Sequence, residues 1–242
     1  MLGSVLLASL VVAVSSQSTC SYTSVCINHT MCLYPTTNYG ASCVSPVYSG
    51  VTSATDKQTI VNAHNALRSN VANGLETRGT PGPQPAAQNM RTITWDDELA
   101  TVAQRWANQC TFQHDTCRSV ARFYVGQNMY MSRTSGVTPN GQQDWNAAVQ
   151  AWYNEVTLFS KNSISPFQFS SSTGHYSQVV WADTYKVGCG FTAYTYSSTY
   201  YGKLYVCNYG PGGNVVGGGS SMYNPGTTCN QCLGNCVNGL CW

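Results

Sequence analysis

At 242 residues with 43% apolar side chains, the chain can form one domain with a sizeable core plus an appendage, and it is too apolar for intrinsic disorder. Only 8% of residues are Asp, Glu, Lys or Arg and the formal net charge is +2, which removes the broad attraction that nucleic acid or an anionic membrane requires. Polyanion-binding classes are therefore excluded, and no nucleic-acid partner is expected.

In chain order, Met1 to Val14 is apolar and uncharged and runs into the small residues Ser15 and Ser16. This is the pattern of a secretory signal, so residues 1–16 read as a signal peptide. The run is too short to span a bilayer, and no later stretch approaches the roughly 20 apolar residues a span needs. The expectation is a secreted, extracellular protein with no transmembrane segment. All 12 cysteines follow Ser16, an even number that suits six disulfides in an oxidising compartment. Residues 17–50 read as a loop-rich, cysteine-stapled arm without sustained hydrophobic periodicity. It carries the sequon Asn28-His29-Thr30, expected in an exposed loop with a glycan at Asn28 and a solvated His29.

Ile60, His64, Leu67 and Val71 recur at helical spacing, which predicts an amphipathic helix over 56–73 stopped by Gly74. Thr94, three residues before Asp97, reads as a capping-box start for a second helix whose stripe is Leu99, Val102, Ala103, Trp106 and Cys110. A third helix follows Gly141, with Trp145, Val149, Trp152 and Val156 on its apolar face. Strands are expected at His175–Trp181, Val187–Tyr196 and Lys203–Asn208, where β-branched and aromatic residues gather. The tyrosine runs there, such as Tyr194-Thr195-Tyr196, fill and edge the sheet. Helices first and strands mostly later predict an α+β layer fold. The tail 225–242, with Cys229, Cys232, Cys236 and Cys241, is too short for a core of its own and must be shaped by crosslinks.

Two segments carry a resemblance. Gly174-His175-Tyr176-Ser177-Gln178-Val179-Val180-Trp181, continuing to Thr184, and Leu204 to Val215, which includes Cys207-Asn208-Tyr209-Gly210-Pro211-Gly212-Gly213-Asn214, resemble the two signature motifs of the CAP superfamily. That superfamily comprises cysteine-rich secretory proteins, venom antigen-five allergens and plant pathogenesis-related proteins. The resemblance implies a three-layer α-β-α sandwich over residues 51–224, with a disulfide-stapled N-terminal arm and a short C-terminal cysteine-rich hinge. It also implies the pairs Cys20–Cys32, Cys26–Cys117, Cys43–Cys110, Cys189–Cys207, Cys229–Cys236 and Cys232–Cys241. In hinge-bearing relatives a further domain associated with ion-channel regulation follows; this sequence stops at Trp242, so that activity is not carried over.

The same resemblance sets His114 and His175 across a central cleft with Glu155. Where many members carry a second glutamate, this chain has Gln127, in Gly126-Gln127-Asn128, a variant that antigen-five proteins also show. His64, on the helical stripe in Ala63-His64-Asn65-Ala66-Leu67-Arg68, reads as a core imidazole. Glu98 reads as a first-turn acid that favours the helix dipole. His114 and His175 with Glu155 make a candidate Zn²⁺ site, weakened by the missing carboxylate, so no cofactor is required and Zn²⁺ is the candidate. Ser177 follows His175 by two residues, but neighbours on one strand face do not aim a hydroxyl at an imidazole, and no Gly-x-Ser-x-Gly elbow exists. The expected function is therefore a venom-, saliva- or defence-type effector that binds an extracellular protein receptor, lipid or sterol without turnover. The alternative is a metal-dependent or Ser-His hydrolase built on His114, Glu155, His175 and Ser177.

Overall fold

A computed structural model describes residues 20–51, 53–136 and 140–242. The signal-peptide reading for 1–16 lies outside them. In chain order, helix α1 is Thr30–Leu33, strand β1 Val44–Ser49, helix α2 Ala54–Ala72, strand β2 Thr94–Trp95, helix α3 Asp97–Ala107 and strand β3 Gly126–Ser135. Helices α4, Trp145–Asn154, and α5, Gly174–Val179, precede strands β4, Lys186–Thr195, and β5, Tyr200–Gly210; the tail holds β6, Cys236–Val237, and β7, Leu240–Cys241.

The main sheet runs β1-β4-β5-β3, with β2 added in parallel to β4. Alternation along its central strands sends side chains to two layers. Val187, Cys189 and Phe191 of β4 and Tyr205, Cys207 and Tyr209 of β5 join Ile60, Trp152 and Tyr176 from α2, α4 and α5. Tyr194, Leu204 and Val206 face the opposite way, onto Ala103, Trp106 and Ala107 of α3. The result is a three-layer α-β-α sandwich. α3 lies so close that a Cβ at Gly188 or Gly190 would run into the backbone of Ala100 or Gln104.

Six disulfides join Cys20–Cys32, Cys26–Cys117, Cys43–Cys110, Cys189–Cys207, Cys229–Cys236 and Cys232–Cys241. The tail does not stand apart. Its Cys241 exchanges backbone hydrogen bonds with Met90 and Thr92, and Leu240 is buried in the main core.

Several expectations are corrected. His175–Trp181 is not a strand, because His175 to Val179 lie within α5. Val179, Val180 and Trp181 favour a strand by composition, but tertiary contacts decide otherwise. Glu155 Oε2 accepts from the backbone N–H groups of His175 and Tyr176 at 2.9 and 3.1 Å and so caps the helix start from outside. Arg68 then takes the Val179 and Trp181 carbonyls at the other end. The cap of α3 is Asp96, which accepts from Leu99 N–H at 3.0 Å; Thr94 belongs to β2. On α2 Ile60, His64 and Val71 are fully buried as expected, but Arg68 is buried with them while Leu67 is only half-buried. Strand β3 went unexpected because its first residues, Gly126-Gln127-Asn128, are small or polar.

His29 is not solvated. It is wholly buried, stacks on Tyr22 with ring centroids 4.3 Å apart, caps α1 by accepting from Met31 N–H, and donates from Nε2 to the Ser119 carbonyl at 2.9 Å. Burial lowers its pKa. Within the sequon only Asn28 is exposed; Thr30 is buried and opens α1.

Candidate functional site

Two imidazoles, His114 and His175, are the histidines expected at the cleft, and each is held by a partner at Nδ1. At the start of α5, His175 donates from Nδ1 to Glu155 Oε1 at 2.6 Å, and the same carboxylate caps the helix through its other oxygen. Both side chains are partly open to water, at 34% and 22% exposure. Across the site, Gln127 on β3 places Oε1 2.7 Å from His114 Nδ1. The strand that carries Gln127 also meets α5, because the next residue, Asn128, donates to the His175 carbonyl at 3.1 Å.

The orientation of the Gln127 amide follows from its neighbours. Its nitrogen lies 3.1 Å from both Asp115 Oδ1 and Asn208 Oδ1, so it spends its protons there and its oxygen must accept from His114. Both imidazoles therefore carry their proton on Nδ1 when neutral. Their Nε2 lone pairs are left for a ligand. The protein packed around His114 lowers its pKa, opposed by the Gln127 hydrogen bond and reinforced by the charges of Arg118 and His175.

Of the four expected cleft residues, His114 and Gln127 line a cavity of about 390 Å³ together with Arg118 and Asn214, whereas Glu155 and His175 are not in its lining; its rim is apolar, with Tyr124, Phe169 and Val216 63%, 52% and 64% exposed. A larger cleft of about 530 Å³ lies between α2 and the tail, beside Asn65, Ser69 and Trp242, but its lining holds no titratable side chain. Two others, of about 490 and 560 Å³, carry Arg91 and Asp183 or Arg133 and Tyr196, but of these only the cleft of about 390 Å³ is lined by a histidine.

Ser177 is brought near in sequence only. It is buried, and its hydroxyl donates to Asn214 Oδ1 at 2.6 Å, with the Thr173 and Gly174 carbonyls also in reach. Positions two apart on a helix do not share a face, so the strand geometry expected for Ser177 and His175 does not apply, although the separation of hydroxyl from imidazole does. Glu98 stays outside the cleft, paired with Arg122 at 2.8 Å. His64 sits in the core, donating from Nδ1 to the Ile60 carbonyl at 2.8 Å and accepting from the Tyr209 hydroxyl at 2.9 Å.

For a metal, the donor set offers two neutral imidazole nitrogens with oriented Nδ1 groups, which suits Zn²⁺. The third donor is not gathered. Among the described residues, the one cluster of at least three His, Cys, Asp or Glu ligand atoms within 4.8 Å of each other is Cys229, Cys232 and Cys241, whose sulfurs are all spent in disulfides. The sequence reading missed Asp115 and Asn208 altogether. Asp115 carried a faint signal, being next to His114; Asn208 lay inside the second signature without any sign that it faced Gln127.

Residues 61–209 match the model of the cysteine-rich secretory protein family, CAP. The chain is 48% identical over 190 residues to Venom allergen 5 of Microctonus hyperodae, covering 78% of this chain and 81% of that one. It is also 48% identical over 193 residues to Venom allergen 3 of Solenopsis invicta, with 78% and 81% covered. Among solved structures it is similar to NaASP2 with Zn²⁺, at a TM-score of 0.63 and 32% identity over 78% of this chain and 96% of that one.

Proposed function

This chain belongs to the cysteine-rich secretory protein (CAP) family, and on that premise we propose that it is a secreted protein of the venom-allergen type that acts by binding, not by turnover. The names of its relatives support the setting, as do twelve cysteines all engaged in disulfides. No helix among the described residues is long and apolar enough to cross a membrane. In this reading residues 1–16 are the signal peptide, Asn28 the glycan acceptor, 17–50 the arm, 51–224 the CAP domain and 225–242 the hinge-like tail.

The observation that carries the proposal is the commitment of Ser177 to Asn214, in the lining of the cleft that holds His114, while His114 and His175 are each held at Nδ1 by another side chain. A nucleophile needs its hydroxyl on a base, and this one is elsewhere. The apolar rim of Tyr124, Phe169 and Val216 around His114 and Arg118 supports a lipid or sterol, or an apolar patch of a protein receptor, as the occupant.

A second reading rests on the Nε2 atoms of His114 and His175. They would hold Zn²⁺, which would act as a Lewis acid there. Glu155 and Gln127 orient the two rings; their own oxygens are engaged in doing so. Binding of radiolabelled cholesterol and release of labelled ester and peptide, each with and without Zn²⁺, separate the readings. Cholesterol binding that survives His175→Ala supports the binding protein. Zinc-dependent release lost in His175→Ala overturns it in favour of a hydrolase.

A further inference from the structure

Where Glu155 holds His175 directly, no carboxylate among the described residues hydrogen-bonds His114, whose partner is Gln127. We propose that Asp115 is a positioning residue of the cleft, fixing through the Gln127 amide which nitrogen of His114 carries the proton. This deepens the reading of the cleft as the functional site and rests on it.

Asp115 is only 6% exposed and its carboxylate is fully engaged. Oδ1 accepts from Arg118 Nε and, at 3.1 Å, from Gln127 Nε2; Oδ2 accepts from the Thr30 hydroxyl. Thr30 belongs to α1 in the arm, and its backbone N–H reaches the Cys117 carbonyl at 2.9 Å beside the Cys26–Cys117 bridge. The carboxylate is thus clamped from three sides.

Its consequence for Gln127 follows from what each acceptor can become. A flipped Gln127 amide would turn Oε1 toward Asp115 Oδ1 and Asn208 Oδ1. Asn208 can relieve that by rotating its own amide, since its nitrogen gives up only a long 3.4 Å contact to the Leu99 carbonyl. A carboxylate has no proton to offer, so Asp115 forbids the flip. With Gln127 Oε1 facing His114, the imidazole must donate from Nδ1 and leave Nε2 bare toward the cleft. The effect is that of a carboxylate–histidine pair with one amide inserted.

The bland alternative is that Asp115 and Arg118 merely pin the loop between Cys110 and β3. The two differ in a readout that simple pinning would not move, the tautomer of neutral His114. Full-length protein labelled with ¹⁵N-histidine, observed by long-range ¹H–¹⁵N correlation at a pH where the ring is neutral, reports it, with His114→Asn assigning the signal. The wild type should show a protonated Nδ1. In Asp115→Ala combined with Arg118→Met, which leaves no guanidinium without its partner, the Nε2–H form should rise at least severalfold. Asp115→Asn should restore the wild-type tautomer, because Arg118 still turns the amide oxygen toward Gln127. An Nδ1–H signal unchanged in the folded double variant, or an Nε2–H ring in the wild type, overturns the proposal. If the tautomer moves as expected while cholesterol and Zn²⁺ both fail to bind, the positioning role stands and the functional reading of the cleft falls.

Discussion

At His64 the imidazole is wholly buried between the Ile60 carbonyl and the Tyr209 hydroxyl, and burial lowers its pKa from 6.5 to about 4. Its unfolded counterpart takes up a proton at the higher pH. The stability this represents is complete above pH 6.5 and is lost as pH falls toward 4, amounting to about 3 kcal/mol. Denaturant titrations across that window should show the slope, and His64→Gln should flatten it. Glu76, held down to about 2 mainly by Arg78, contributes in a separate window, between 4.5 and 2, whereas His29 and His114, also lowered by burial, add to the same slope, so the share of His64 is the difference between the wild type and His64→Gln. Gln127 allows a second residue-scale expectation. Gln127→Glu restores the acid common in relatives, yet here it would turn an acceptor toward Asp115 and Asn208 in place of two donated hydrogen bonds. A loss of roughly 2 kcal/mol is expected in urea unfolding. The amide is therefore the side chain this pocket requires, and its fit was not legible in the sequence because Asp115 and Asn208 reach it from different parts of the chain.

Among the elements, α5 depends most on groups outside itself. It has only six residues, too few for independent stability, and its start is capped by Glu155. Glu155→Ala should cost about 1–2 kcal/mol and speed hydrogen exchange at the His175 and Tyr176 amides. At the other end, buried Arg68 donates to the carbonyls of Arg91, Val179, Trp181, Ala182 and Thr184. Burial pushes its guanidinium down to about 9, so it remains charged at neutral pH. Arg68→Met strands those acceptors and should cost at least about 3 kcal/mol, read by chemical denaturation. Both ends explain why the first signature could be found in the sequence but not folded from it. Its apolar run satisfies a strand as well as a helix, and the deciding groups lie about 20 and 110 residues away along the chain. By contrast, helix α2 and the β4–β5 hairpin were legible from periodicity and composition, although the α2 stripe was misplaced by one residue, Arg68 being buried where Leu67 was expected.

Across the whole molecule, the arm, sandwich and tail are tied by long-range crosslinks and by shared burial. Cys26–Cys117 spans 91 residues and Cys43–Cys110 spans 67, joining the arm to the loop that follows α3. In the chain-entropy account each stabilises by roughly 4 kcal/mol. Replacing Cys26 and Cys117 together by Ser should lower stability by up to about that amount, and should loosen Thr30 from Asp115 first, which hydrogen exchange in α1 would detect. The cysteine count allowed a chain stapled by six disulfides to be read at once; the coupling of arm to cleft could not be, because it passes through the hydroxyl of a sequon threonine. Binding at this cleft requires that His114 and His175 open their free nitrogens onto one shared space. Titrating Zn²⁺ into ¹⁵N-histidine-labelled protein tests this most directly. The Nε2 signals of His114 and His175 should move together over the same range of added metal while those of His29 and His64 stay still. Movement of only one cleft histidine, of neither, or of both at unrelated metal concentrations would contradict it.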